Sequence, residues 1–71
     1  MKLEEAIPGK RVRYVPNHVD VSDTKHPDNE YGKISSSNDH YIFVKFDKNV
    51  EVLGWDGATA QACQAHNLVY I

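Results

Sequence analysis

Arg11, Arg13, Lys33 and Lys45 lie in β-prone stretches beside Tyr41 and Phe43, and a mixture of cations and rings is what a single-stranded polyanion needs. Ammonium and guanidinium groups hold phosphates, while ring faces stack bases. The same pattern also describes an ordinary solvated sheet face whose arginines lie over rings. A second group, His18, Asp20, Asp23, His26 and Asp28, falls within one polar loop. Imidazole and carboxylate are zinc ligands, and His18 and His26 would be the first to ligate. Their spacing matches no metal motif, and Asx turns account for the aspartates, so no metal and no cofactor are expected. A third group pairs Tyr31 and Trp55 with Asp47 or Asp56, the ingredients of an aromatic pocket for a methylated amine or an arginine. Its simpler reading is two rings shielding a thin core. Cys63, His66 and Asn67 sit on one turn, too close in sequence for nucleophile and base geometry; Cys63 reads as a small buried hydrophobe. No phosphate loop, nucleophile elbow or paired carboxylates occur, so no catalytic residue is assigned and the chain is not expected to be an enzyme.

The elements that must position these residues are short strands. Tyr31 to Phe46 reads as a hairpin: Ile42, Val44 and Phe46 alternate with Tyr41, Phe43 and Lys45, and Asn38-Asp39 supplies the turn. Gly32 marks a bend or a close backbone approach. Lys10 to Pro16 is a first strand with Val12 and Tyr14 on one face and Arg11, Arg13 and Val15 on the other, ended by Pro16. Asn17 to Glu30 is a long polar loop, in which Val19 and Val21 alternate and either add a short strand or tuck against the barrel. Asp47 to Gly57 reads as a polar turn, a brief apolar patch and a bent glycine-flanked tryptophan. Thr59 to Cys63 and Leu68 to Ile71 are two last short strands, joined by a turn of 3₁₀ type. Met1 to Ala6 forms at most one helical turn before Pro8-Gly9, so residues 1–8 are a tail or cap.

The expected fold is therefore all-β: residues 1–71 as a single five-stranded SH3-like barrel, with a long loop after strand 1 and a short 3₁₀ turn before the last strand. A plain antiparallel sheet with an N-terminal helical turn is the alternative. A chain of 71 residues buries a thin core and leaves little material for an enzyme cleft. Eight basic and ten acidic side chains give a net charge of −2, which makes neither a broad phosphate-binding face nor a nucleic-acid mimic. A single cysteine excludes an internal disulfide and suits a reducing cytoplasm. No apolar run is long enough for a membrane span or a secretory signal.

Gly9, Val12, Tyr14, Pro16 and His18, then His26-Pro27-Asp28 with Glu30 and Gly32, then Asn38 and Phe43-Val44-Lys45-Phe46, then Ala60-Gln61-Ala62 and Asn67-Leu68 follow one another in an order that resembles a group of short uncharacterised bacteriophage and prophage proteins. The likeness runs from about Gly9 to Leu68. The ending, small residues then a turn and Asn-Leu, also resembles the close of SH3-like barrels of the KOW or Tudor type. The resemblance implies the barrel and a bacterial host cytoplasm; it brings no catalytic or binding residues.

Two functions are expected from this reading. The first is a non-catalytic phage-type module that docks a host or phage protein through His18, His26, Tyr31, Tyr41, Phe43 and Trp55. The second is single-stranded nucleic-acid binding through Arg11, Arg13, Lys33 and Lys45 with Tyr41 and Phe43. Neither involves a membrane, and the oligomeric state is left open by an exposed strand edge and by the Tyr41 and Phe43 face.

Overall fold

A computed structural model describes residues 1–71. Five strands form a single antiparallel sheet: β1 (Arg11–Tyr14), β2 (Glu30–Ser37), β3 (Ile42–Phe46), β4 (Gln61–Cys63) and β5 (Leu68–Tyr70). Their spatial order is β4-β3-β2-β1-β5, so β1 pairs with both β2 and β5. The ladder is not closed, because β4 and β5 remain at opposite edges. Both edge strands are only three residues long, which limits the unpaired backbone they offer to another chain.

The hairpin forms where the alternation places it. Asn38 closes the turn: its N–H donates to the Tyr41 carbonyl at 3.0 Å, and its Oδ1 accepts the N–H groups of His40 and Tyr41, both at 2.8 Å. Strand β3 starts at Ile42, leaving Tyr41 in the turn, and the register slips between Ile34 and Ser36, a bulge that accommodates the polar serine run. Gly32 is a close-approach glycine. A Cβ there would lie 2.5 Å from the Lys45 carbonyl oxygen and 2.9 Å from the Phe46 Cα.

Alternation sorts the side chains onto two faces. Val12, Ile34, Ile42, Val44, Phe46, Cys63 and Leu68 form the core on one face, with Met1, Leu3, Ala6, Tyr14 and Ala65 packed against them. The N-terminal residues are thus a cap. A 3₁₀ turn at Leu3–Glu5 is held by the Met1 amino group, which donates to the Ala65 and Leu68 carbonyls at 3.2 and 2.9 Å. A second 3₁₀ turn, Ala65–Asn67, precedes β5 as expected.

The long loop contains no strand before β2 begins at Glu30, and of its two valines only Val19 is buried. Local bonds fix its shape. Asp20 Oδ1 accepts the Ser22 N–H at 2.8 Å, and the Asn67 amide nitrogen donates to the Val15 carbonyl at 2.9 Å and to Asn17 Oδ1 at 2.7 Å.

One element departs from the sequence reading. Asp47–Gly57 is a helix, α1, not a polar turn with an apolar patch. It is interrupted at Gly54, whose φ of 76° lies in the left-handed region, so the last residues form a separate turn that carries Trp55. Intrinsic preference did not announce this helix, since Asn49, Val50, Val52 and Gly54 are all weak helix formers. None of its residues is buried. Contacts from the sheet hold it instead: Arg11 to Asp47, Glu30 to Lys48, and Lys45 to the Trp55 carbonyl.

Candidate functional site: a basic cleft under α1

The face opposite the core carries the charge. Cross-strand registers put Arg11 opposite Lys33 and Lys33 opposite Lys45, so three adjacent strands place three cations in one row. Like charges directly opposite one another destabilise a sheet, and the row therefore needs anions nearby. Helix α1 lies over it. Between helix and sheet runs a cleft of about 460 Å³, lined by Gly9, Arg11, Lys33, Lys45, Asp47, Val50 and Trp55.

Each cation has a different environment. Arg11 grips Asp47 with both ends of its fork, Nη1 to Oδ1 at 3.0 Å and Nη2 to Oδ2 at 2.6 Å. Those hydrogen bonds hold the Asp47 carboxyl below the usual carboxylate range against the opposing effect of burial, with the charges of Arg11 and Lys33 helping, and they raise Arg11 further. Lys45 donates to the Trp55 carbonyl at 2.6 Å, and its Nζ stands 4.6 Å from the centre of the indole ring. Trp55 as a whole residue is 39% exposed. Lys33 is exposed and enters no ion pair.

The residues named from sequence are distributed unevenly. Arg11, Lys33 and Lys45 come together; Arg13 is on the same face two positions along β1, but its Nη2 donates to the Val21 carbonyl at 3.0 Å and its Nε is buried. Phe43 is half-buried on the same strand as Lys45, while Tyr41 is exposed in the turn, 6.4 Å from the His40 ring. Tyr31 is exposed beside the loop, where its hydroxyl donates to the Thr24 carbonyl at 3.2 Å. His18 pairs with Asp28 at 2.7 Å, its ring 5.9 Å from that of His26, and no group of three His, Cys, Asp or Glu side chains is arranged to hold a metal ion. Trp55 joins the basic row, whereas Tyr31 borders a separate hollow with Asn29, Glu30, Asp47, Lys48 and Glu51. Two members of the cleft, Gly9 and Val50, were not among the site residues named from the sequence, and Asp47, expected beside Tyr31 and Trp55, pairs with Arg11 instead.

Cys63 is buried against the core, and burial together with the charge of Glu30 pushes its thiol up to about 11. It is a protonated thiol at neutral pH, not a thiolate nucleophile. His66 Nε2 meets Asn17 Oδ1 at 3.2 Å, so His66 and Asn67 both hold the start of the long loop at Asn17. No helix is long and apolar enough to cross a membrane.

No protein-family model matches the chain, and neither the curated proteins nor the solved structures hold one that is significantly similar.

Proposed function

We propose that this protein is a non-catalytic binding module that takes single-stranded nucleic acid in the cleft between the β1–β3 face and α1. One observation carries the reading: Arg11, Lys33 and Lys45 stand in a continuous row against a partly exposed tryptophan. Phosphates of the strand lie along the row, where they supply the negative charge that the three cations need, and a base stacks on the open part of the Trp55 ring. Asp47 is the one carboxylate lining the cleft, so the site is locally basic although the whole chain is acidic. The open sheet, with β1 pairing both β2 and β5, is consistent with a partly open SH3-like barrel of the kind resembled by the phage and prophage proteins. The host cytoplasm is the compartment that goes with this reading.

Trp55 is the only tryptophan, so its fluorescence reports on the cleft alone. Adding single-stranded DNA or RNA quenches it, and the apparent affinity falls steeply between low and high salt. Emission that stays constant at saturating oligonucleotide and low salt refutes the reading.

A second reading, docking of a host or phage protein, is favoured by the outer surface of α1, where Val52 and Leu53 are 81% and 58% exposed beside Trp55. It predicts that Leu53→Glu abolishes capture of a protein partner from host lysate; unchanged capture removes α1 from that role.

A further inference from the structure

Arg11 is the cation in the row best shaped for a phosphate, and in the free protein its fork is filled. Asp47 occupies both guanidinium ends at 3.0 and 2.6 Å, in the bidentate geometry that a phosphodiester's two free oxygens would adopt. The pair is not sealed in the interior: the two side chains are 41% and 40% exposed at the mouth of the cleft, so an incoming anion reaches the same donors. Lys33 stands opposite Arg11 in the register and adds its charge to the seat. Asp47 is also the first residue of α1, directly after the last residue of β3, so it reaches Arg11 from a fixed backbone position.

We infer that Asp47 is an internal competitor: its carboxylate stands in for a backbone phosphate on Arg11, and binding of a single strand exchanges the carboxylate for a phosphodiester. This deepens the nucleic-acid reading and rests on it. The exchange replaces one anion by another, so Arg11 keeps a partner in both states and Asp47 moves into the solvent at the cleft mouth. Asp47 thereby sets how tightly the row holds a strand and limits the charge it gains on binding. Arg11 contributes little to the salt dependence of the native protein, because it releases a carboxylate when it gains a phosphate.

The test compares native protein, Asp47→Asn and Asp56→Asn by Trp55 fluorescence titration with a short oligothymidylate at several salt concentrations. Asp56 lies in the turn after Gly54 and makes no ion pair, so its substitution reports the effect of removing one negative charge without vacating Arg11. Far-ultraviolet circular dichroism of each variant confirms that α1 persists. The expected result is roughly three- to fivefold tighter binding for Asp47→Asn than for Asp56→Asn, and a salt slope steeper by about one. Binding by the Asp47→Asn protein alone, with none by the native chain, supports the inference equally. Native binding with equal or weaker binding by Asp47→Asn overturns the competitor and leaves the nucleic-acid reading intact. No binding by any of the three overturns both.

Discussion

At Lys33 a stability penalty and a binding role coincide. It faces Arg11 on one side and Lys45 on the other, is exposed, and has no carboxylate of its own. Lys33→Gln should therefore raise stability by about 0.2–1 kcal/mol, because a like-charge cross-strand contact is removed, and weaken oligonucleotide binding while lowering the salt slope by about one. Urea unfolding and a salt-dependent titration read the two effects; a variant that is less stable and binds equally well contradicts the role of the row. The Arg11–Asp47 pair has the opposite sign for stability. Its hydrogen bonds hold the folded carboxyl below its unfolded value, so the contribution is fully present above about pH 4 and is lost as pH falls through the lower folded value. With both groups about two-fifths exposed, solvent screening reduces it to about 0.5 kcal/mol. Asp47→Asn should lower the unfolding free energy at pH 7 by that much, and the deficit should shrink as pH falls below about 4; a deficit that does not change with pH would show that the ion pair is not the cause.

Among the elements, β2 and β3 depend on Gly32. A methyl group at that position meets backbone atoms of Lys45 and Phe46 that no side-chain rotation can clear. Gly32→Ala should destabilise the fold by about 1–3 kcal/mol, measured by urea unfolding; a midpoint within error of the native one would mean that the strands are not so close. Strands and turns were legible in the sequence because period-two alternation and Asx chemistry act locally: Ile42, Val44 and Phe46 bury as their spacing requires, and Asn38 makes the turn bonds its side chain allows. Helix α1 was not legible, since it buries none of its residues and is held by partners 10 to 36 positions distant in sequence. The error carried over to the site. With Asp47–Gly57 taken as a bent loop, Trp55 was expected either with Tyr31 in an aromatic pocket or as a shield of the core; with the helix over the outer face, it lies against Lys45.

For the whole molecule, sign and position of charge matter more than the total. The net charge of −2 argued against a phosphate-binding surface, yet the cross-strand register gathers three of the eight basic residues into one row with a single carboxylate. Register cannot be read from composition, although the alternation in each strand already put Arg11, Lys33 and Lys45 off the core face. The chain is compact, with a radius of gyration of 11.5 Å against roughly 11 Å expected for its length. The five-strand count was legible, whereas ring closure was not, because it depends on how far the sheet curls. A thin seven-residue core capped by Met1, Leu3 and Ala6 leaves the opposite face to polar and charged side chains, and that division gives so small a domain a surface for binding.

The most direct test is a backbone chemical-shift titration of the labelled protein with a short single-stranded oligonucleotide at low and high salt. The expected shifts cluster on Arg11, Lys33, Lys45, Asp47 and Trp55 and diminish at high salt. Shifts confined to the Asn17 to Glu30 loop or to Val52 and Leu53, or no shifts at all, would contradict the assignment of the cleft.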